Sequence, residues 1–166
     1  MVIALTGFMG SGKTTVGRII ADALGCPFVD LDEAVAAEAG ASVPAIFAAE
    51  GEAGFRDREL AALRKTLSRY GSGTAVLALG GGTVLLKQAR KLLREKTLCL
   101  WLDASFDTLA ERIGPQGDRP LATSAEALRT LLEERLPLYG ETAAVRIGTD
   151  RLTPDEVADE IIISVL

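Results

Sequence analysis

Eight residues near the start of the chain have the types and spacing needed to bind a nucleotide phosphate. Gly7 to Thr14 read Gly-Phe-Met-Gly-Ser-Gly-Lys-Thr, which matches the phosphate-binding pattern G-x-x-x-x-G-K-[ST]. Glycines let the backbone curl around an anion, so that loop N–H groups point toward it. The Lys13 ammonium would then contact the β- and γ-phosphates, and the Thr14 hydroxyl would bind Mg²⁺ directly. The predicted nucleotide-binding residues of this loop are Gly10, Ser11, Gly12, Lys13, Thr14 and Thr15.

The segments on either side of this loop favour a nucleotide site over an ordinary glycine-rich turn. Residues 2–5 form an apolar run that is typical of a buried strand, and residues 14–24 have a helical pattern. A strand, the loop and a helix in this order are the context that the motif requires. The N-terminus of the helix would add a partial positive charge at the anion.

Two carboxylates come next along the chain. Asp30 ends a predicted short strand, and Asp32 follows two residues later. A carboxylate beside a phosphate-binding loop can accept a proton from a substrate hydroxyl or hold Mg²⁺ through water. The alternative is that one of them caps the helix that begins near Leu31, and Asp30 alone fits that role equally well. The pair together favours a functional site, with Asp32 as a catalytic candidate.

Three consecutive glycines follow another apolar strand. Gly80, Gly81 and Gly82 come directly after the run Thr74 to Leu79. A triple glycine allows a ligand to approach backbone N–H groups closely. A simple turn that ends the strand is the alternative, although it needs only one or two glycines. The triplet therefore indicates a binding segment.

Four arginines are candidates for contacts with anions. Arg56 and Arg135 lie in predicted helices, Arg112 closes another helix, and Arg119 lies in a segment without periodic pattern. Surface arginines are usually only solvated charges. An anionic substrate would nevertheless need planar guanidinium groups. A phosphoryl-transfer enzyme would also use a cation that a loop delivers to the transferring group.

Alternating strand and helix patterns predict an α/β fold that could position these groups. Five strands, near residues 2–5, 27–30, 74–79, 98–102 and 145–147, would form a parallel sheet covered on both faces by helices. Helices are predicted near 14–24, 31–38, 42–47, 52–69, 85–93, 105–113 and 126–136, and a capping box at Thr153 predicts a last one from Pro154. Residues 114–123 are predicted to form a mobile loop. In such a sheet, ligands bind beyond the carboxyl ends of the strands.

The overall composition limits the class of protein. The chain has 166 residues, a net charge of −5 and no histidine. One domain is expected, with Asp, Glu or Lys as acid–base groups and a hard cation as any metal. The negative charge argues against nucleic-acid binding, and no apolar run is long enough to span a membrane. Cys26 and Cys99 are expected to be reduced thiols, as in a cytoplasmic protein.

Seven segments resemble the bacterial shikimate kinases, in the same order along essentially the whole chain. Phe-x-Asp-x-Asp, Phe-Arg-x-x-Glu, Gly-Gly-Gly, Arg-Pro-Leu and Glu-Arg-x-Pro-x-Tyr are more specific than the phosphate-binding loop. The segments are Gly-Phe-Met-Gly-Ser-Gly-Lys-Thr-Thr-Val-Gly (7–17), Phe-Val-Asp-Leu-Asp (28–32), Ile-Phe-Ala-Ala-Glu-Gly-Glu (46–52), Phe-Arg-Asp-Arg-Glu (55–59), Leu-Gly-Gly-Gly (79–82), Asp-Arg-Pro-Leu (118–121) and Glu-Arg-Leu-Pro-Leu-Tyr (134–139).

This resemblance implies a fold, a reaction and a set of site residues. The fold would be a three-layer P-loop kinase with a five-stranded parallel sheet. It would form a single domain over residues 1–166, with a substrate-binding region at about 31–60 and a mobile lid at about 114–123. The reaction would be transfer of the ATP γ-phosphate to the 3-hydroxyl of shikimate, on the pathway to chorismate and aromatic amino acids. A cytoplasmic monomer that needs Mg²⁺ is expected.

The resemblance also implies a role for each site residue. Shikimate would be held by Asp32, Arg56, Gly80, Gly81, Gly82 and Arg135. Asp32 would be the base and hold Mg²⁺ through water, and Glu59 would orient Arg56. Lys13 and Arg119 would stabilise the transferring phosphoryl group. The adenine would be framed by Arg112 and the segment from Thr149 to Pro154.

The chain departs from the family pattern at Asp57, at Ala122 and at the Ala53-Gly54 pair.

Two other functions are compatible with the candidate site residues. A gluconate or nucleotide kinase would share the fold, although the Phe-Arg-x-x-Glu and Glu-Arg-x-Pro-x-Tyr segments favour shikimate. A regulator that binds ATP without transferring phosphate is the other, but such a protein would not need Lys13, Asp32 and Arg119 together.

Overall fold

The computed structural model describes residues 1–114 and 124–165, which form five strands and seven α-helices. The strands are β1 (Val2–Thr6), β2 (Phe28–Asp30), β3 (Ala75–Ala78), β4 (Thr97–Asp103) and β5 (Val145–Gly148). The helices are α1 (Lys13–Leu24), α2 (Leu31–Ala39), α3 (Val43–Tyr70), α4 (Lys87–Lys96), α5 (Phe106–Ile113), α6 (Ala125–Thr142) and α7 (Pro154–Ser164). A 3-10 turn over Thr83–Leu85 joins β3 to α4.

The five strands form one parallel sheet in the order β2-β3-β1-β4-β5. Every residue of β1 and β3 is buried, as expected for central strands that are covered on both faces. Strand β1 lies in the middle of the sheet, with β3 on one side and β4 on the other. The segments that follow β3 and β4 therefore lie on opposite sides of the phosphate-binding loop, which follows β1. The predicted five-stranded parallel sheet is confirmed, and its carboxyl edge carries the candidate residues.

Alternate side chains of the strands point to opposite faces of the sheet and pack in two separate hydrophobic cores. Ile3 and Leu5 of β1 pack with α1 and α7 on one face. Val2 and Ala4 pack with α2, α3 and α4 on the other. A third cluster, around Trp101 and Tyr139, joins α5 and α6 to β4. The predicted three-layer arrangement therefore follows from the alternation of side chains along β1.

Three helix boundaries differ from those predicted. The two helices predicted on either side of residue 50 follow each other directly as α3, with a kink at Gly51, whose φ of 69° and ψ of −176° are not helical. Helix α4 begins at Lys87, after the 3-10 turn, and not at Leu85. Helix α6 was predicted to end at Leu136, but it continues through Pro137 to Thr142. Proline removes one hydrogen bond, and the packing of Tyr139 in the core stabilises the turns beyond it.

Some predictions concern residues outside the described part of the chain. Arg119 and most of the segment 114–123, which was predicted to form a lid, lie there. Over residues 1–114 and 124–165, every helix is too short or too polar to pass through a bilayer.

Candidate active site

The phosphate-binding loop connects β1 to α1 at the centre of the carboxyl edge. Gly10 and Gly12 have φ values of 79° and 93°, a conformation that favours glycine. Helix α1 begins at Lys13, so its free N–H groups face the loop. The Lys13 ammonium donates to the main-chain oxygens of Gly7 (2.9 Å) and Phe8 (2.8 Å). This loop is built to surround an anion with N–H groups and one ammonium.

A cavity of about 380 Å³ lies beside the loop and brings together residues from five separate segments. Every residue predicted to bind the phosphate acceptor lies on its wall, and so do Lys13 and Thr14. The lining residues are Met9, Gly10, Lys13, Thr14, Asp30, Asp32, Val43, Pro44, Phe47, Phe55, Arg56, Leu79, Gly80, Gly81, Gly82 and Arg135. Residues that are more than 100 positions apart in the chain therefore meet at one site.

Asp30 caps helix α2, which was one of the roles considered for it, and it also contacts the phosphate-binding loop. One of its oxygens, Oδ1, accepts from the backbone N–H groups of Asp32 (3.0 Å) and Glu33 (3.3 Å), which caps α2. The other oxygen, Oδ2, accepts from the Thr14 hydroxyl at 2.7 Å. The cap therefore holds a carboxylate oxygen against the phosphate-binding loop.

The oxygens of Thr14, Asp30 and Asp32 fit a hard cation such as Mg²⁺. This ion keeps several waters and takes only one or two protein carboxylates in sites that hold a nucleotide. The described residues contain no cluster of three or more acidic or thiol side chains that could hold a metal. The remaining ligands would have to be phosphate oxygens and water.

Asp32 is the carboxylate with the most unusual environment in the cavity. Burial raises its pKa from 3.8 to about 6, and the neighbouring carboxylates of Glu59 and Asp30 contribute to the rise, while Lys13 and Arg56 oppose it. Its buried Oδ1 has no hydrogen-bond partner among residues 1–114 and 124–165. A buried acceptor of this kind normally has a partner. Asp32 is thus suited to accept a hydrogen bond, or a proton, from a bound hydroxyl.

Arg56 is buried in a fixed position by an acidic neighbour. It is 8% exposed, and its Nη1 donates to Oε2 of Glu59 at 2.7 Å. Glu59 is itself fully buried and also accepts from the Thr83 hydroxyl. A second, longer contact joins Arg56 to Glu52 at 3.4 Å. Because Glu59 holds one edge of the guanidinium, the other edge can face a ligand in the cavity.

Arg135 differs from Arg56, because no ion pair found among the described residues includes it. It is only 2% exposed, and its Nε has no hydrogen-bond partner in the described part of the chain. The guanidinium lies 5.8 Å from the ring centre of Phe8, in the phosphate-binding loop. A buried cation without a carboxylate partner is expensive to keep in a protein unless an anion binds there.

Gly80 and Gly82 of the triplet are required by the side chains that crowd them. A Cβ on Gly80 would lie 2.5 Å from Oε1 of Glu59 and 2.7 Å from Oδ1 of Asp32. A Cβ on Gly82 would overlap the guanidinium of Arg56. The triplet was predicted to admit a ligand, and the structure adds a second reason: it admits the charged side chains of the site.

A second cavity, of about 370 Å³, lies on the opposite side of the phosphate-binding loop. Arg112 forms one wall and donates to Thr149, at 3.1 Å to the hydroxyl and 2.8 Å to the main-chain oxygen. This cavity joins the residues predicted to frame a base. It is lined by Gly10, Ser11, Gly12, Thr15, Val16, Arg112, Thr149, Leu152, Pro154 and Val157.

One wall of the first cavity was not recognised as functional from the sequence. Val43, Pro44, Phe47 and Phe55 form an apolar surface opposite the charged groups. The rings of Phe47 and Phe55 lie 4.7 Å apart. Their positions in amphipathic helices indicated only core packing, since nothing in a helical pattern distinguishes a core face from a cavity wall. Such a wall suits the carbon face of a small polar molecule.

Comparisons of the whole chain with known proteins identify one family of relatives. A family model described as Shikimate kinase matches residues 9–166. A shikimate kinase of Symbiobacterium thermophilum is 47% identical and covers 97% of this chain and 94% of its own length. The structure of a shikimate kinase from Acinetobacter baumannii in complex with shikimate superposes with a TM-score of 0.91, at 37% identity over 97% of this chain and 90% of that one. That of Aquifex aeolicus has a TM-score of 0.85 at 32% identity, over 99% and 96%.

Proposed function

The chain belongs to the shikimate kinase family, and on that basis we propose how its residues catalyse the ATP-dependent phosphorylation of shikimate. The first cavity, beside Asp32 and Arg135, binds shikimate, and the second cavity, beside Arg112, binds the adenosine part of ATP. The phosphate-binding loop lies between them, so the γ-phosphate of ATP reaches the 3-hydroxyl of shikimate. The products are shikimate 3-phosphate and ADP.

Arg135 and Arg56 bind the shikimate carboxylate. The observation that supports this most strongly is the buried guanidinium of Arg135, which has no acidic partner within the described residues. An anion that enters the cavity would give this cation the partner that the described carboxylates do not provide. Arg56 adds a guanidinium whose orientation Glu59 holds. Two planar donors recognise a carboxylate better than two ammonium groups would.

Asp32 accepts the proton of the attacking hydroxyl. Its unpartnered Oδ1 is the acceptor, and it lies beside Gly80, at the end of the cavity near Lys13. The backbone of Gly80, Gly81 and Gly82 surrounds the hydroxyls of the ring. The apolar wall of Phe47 and Phe55 packs against its carbon atoms. These contacts orient the 3-hydroxyl for in-line attack.

The nucleotide site is the other half of the proposal. Gly10, Ser11, Gly12, Thr14 and Thr15 surround the phosphates together with Lys13, while Arg112 and Pro154 flank the base. Mg²⁺, bound by Thr14 and reached through water from Asp32, would neutralise charge on the β- and γ-phosphates. Arg119 is assigned to the transferring phosphoryl group by the family resemblance alone.

We further propose that the enzyme is a cytoplasmic monomer of one domain that does not bind nucleic acid. The net charge of −5 supports the last point. Both cysteines are free thiols, which is usual in a reducing compartment. Sedimentation at micromolar concentration would reveal a dimer if one formed.

A coupled assay of ADP release, with and without shikimate, tests the function. ADP should appear only when ATP, Mg²⁺ and shikimate are all present, and gluconate should not replace shikimate. Lys13→Met should abolish release, because the ammonium stabilises charge on the transferring phosphoryl group. Lys91→Met, which removes an exposed lysine far from both cavities, is the control. Faster turnover of gluconate, or an active Lys13→Met enzyme, would refute the proposal.

A further inference from the structure

Tyr139 lies behind the shikimate cavity and takes no part in the proposed reaction. It is completely buried, one helical turn after Arg135 on the same face of α6. Its hydroxyl donates to the main-chain oxygen of Gly81 at 2.6 Å. Gly81 lines the cavity, and Tyr139 does not. The hydroxyl therefore connects the helix that carries Arg135 to the glycine segment that faces the substrate.

The carbonyl groups of the three glycines show how specific this contact is. The oxygen of Gly80 accepts from Thr83 N, and that of Gly82 accepts from Leu85 N, both within the 3-10 turn. Among the described residues, Gly81 is the member of the triplet whose oxygen accepts from a side chain, that of Tyr139. The local backbone thus stabilises two of the carbonyls, and a distant helix stabilises the third.

The orientation of one carbonyl fixes a whole peptide plane. No described peptide bond is cis, and in a trans peptide the C=O and the next N–H point in opposite directions. Holding the Gly81 oxygen against α6 therefore directs the Gly82 N–H away from α6. Glycine has little intrinsic preference among backbone conformations. Without an external contact, a triple glycine would have several orientations available.

The tyrosine is also built to remain a donor. Burial strongly raises the pKa of its phenol, and the nearby guanidinium of Arg135 opposes this only in part. The ring packs against Trp101 at 5.9 Å between centres, within the third hydrophobic cluster. A neutral phenol fixed by packing keeps its proton directed at Gly81 at any pH at which the enzyme works.

We propose that Tyr139 is a positioning residue for shikimate: its hydroxyl sets the spacing and orientation of the Gly80–Gly82 segment relative to Arg135. A Cβ placed on Gly81 would lie 3.4 Å from Nη1 of Arg135, so the two groups are already adjacent. The contact keeps them in the arrangement that one substrate molecule must touch simultaneously. This inference rests on the proposed binding of shikimate in the first cavity, the one lined by Asp32, Gly81 and Arg135.

Tyr139→Phe removes one oxygen and keeps the packing, so it tests the contact directly. The KM for shikimate, and its Kd measured by calorimetry, should rise about tenfold, because binding would then have to fix the orientation of the released glycine backbone. Ordering the backbone of one residue costs about as much free energy as a tenfold change in affinity. The KM for ATP should stay within about twofold, because Tyr139 is remote from the second cavity. Trp101, the only tryptophan, should keep its emission maximum if the ring still packs. Tyr70→Phe removes the hydroxyl of the only other tyrosine and should change neither KM.

A double variant separates positioning from a general loss of structure. If Tyr139 acts through the spacing to Arg135, Tyr139→Phe combined with Arg135→Lys should weaken shikimate binding by less than the product of the two single effects. An unchanged shikimate Kd in Tyr139→Phe would overturn the inference, and so would a parallel rise in both KM values. A wild-type enzyme that ignores shikimate would instead refute the proposed function itself.

Discussion

Asp32 combines an unusual pKa with a buried oxygen that has no partner. Because its pKa in the folded protein is about 6, the carboxylate is protonated in a growing fraction of molecules as the pH falls below neutrality. A protonated Asp32 cannot act as a base. The pKa of the proposed base therefore lies close to neutrality.

The first prediction concerns the pH dependence of this carboxylate. Below about pH 6, kcat/KM for shikimate should fall about tenfold for each pH unit, and above it the rate should be level. Asp32→Asn should lower kcat at least about a hundredfold and remove this acid limb. The check is a pH–rate profile of both proteins at saturating ATP. A variant that loses only affinity for shikimate would show that Asp32 binds and does not catalyse.

The second prediction follows from the same pKa but concerns stability. A folded-state pKa above the ordinary value means that protonated Asp32 favours the fold. This contribution is complete below about pH 4 and is lost as the pH rises through about 6. At about pH 8, Asp32→Asn should therefore unfold at higher urea concentration, with a gain of the order of 1–3 kcal/mol. At about pH 4 the gain should largely disappear, and an equal gain at both values would contradict the burial of a charged carboxylate as its cause.

The third prediction contrasts the two buried arginines of the cavity. Arg56→Met leaves the fully buried Glu59 without its cation, which should destabilise the fold by about 3–5 kcal/mol. Arg135→Met removes a buried cation that has no ion pair within the described residues, so stability should be unchanged or higher. Urea unfolding measures the stability of both variants.

The lysine variants of the same two arginines test substrate binding. Arg56→Lys and Arg135→Lys should each raise the KM for shikimate about ten- to a hundredfold and leave the KM for ATP nearly unchanged.

At the scale of secondary structure, the kink in α3 forms the apolar wall of the shikimate cavity. The helix before Gly51 carries Val43, Pro44 and Phe47, and the helix after it carries Phe55 and Arg56. Two hydrogen bonds between Arg58 and Glu50, of 2.8 and 2.7 Å, cross the kink. Along a straight helix Phe47 and Phe55 would lie about 12 Å apart, but across the kink their rings are 4.7 Å apart.

The fourth prediction concerns the backbone at this kink. The φ and ψ of Gly51 lie in a region that is essentially restricted to glycine. Gly51→Ala should therefore destabilise the protein by about 1–3 kcal/mol and raise the KM for shikimate. Gly73→Ala is a matched control, because neither site has an atom within 4 Å of an added Cβ and only Gly51 has a positive φ. Equal losses of stability in the two variants would contradict the backbone as the cause.

At the scale of the whole molecule, the two cysteines differ in how far the protein must unfold before each thiol reaches solvent. Cys99 lies in β4 at the centre of the sheet, and burial raises its pKa to about 12. Cys26, just after α1, is half-buried, and its pKa is raised to a smaller extent. A thiolate is the reactive form of cysteine, so Cys99 can react only when the sheet opens.

The fifth prediction is that a disulfide reagent labels one thiol of the native protein readily and the second only on unfolding. The fast thiol should disappear in Cys26→Ser. Saturating ATP or shikimate should slow the second reaction in proportion to the stability that the ligand adds, by mass action. Rapid labelling of Cys99 in the native state would show that the sheet opens locally around β4.

The sequence by itself determined the fold class and most of the residues at the site. Apolar runs between helical patterns are local signals, and each predicted strand lies within two residues of an observed one. The phosphate-binding loop is likewise a local motif, whose backbone conformation follows from its own glycines. The family resemblance then assigned Asp32, Arg56, Gly80 and Arg135 to one site, and all four line one cavity.

Only the tertiary structure decided how those residues differ from each other. Asp30 and Asp32 are similar in sequence, yet Asp30 caps α2 and accepts from Thr14, while Asp32 keeps an oxygen without a partner among the described residues. Arg56 has a buried carboxylate partner and Arg135 has none in the described part of the chain. The Thr14 partner of Asp30 comes from a distant segment, which no local pattern encodes, whereas the Glu59 partner of Arg56 lies one helical turn away. Burial then gives each contact its energy, because a charge or an acceptor removed from water must find its partner within the protein or in a ligand.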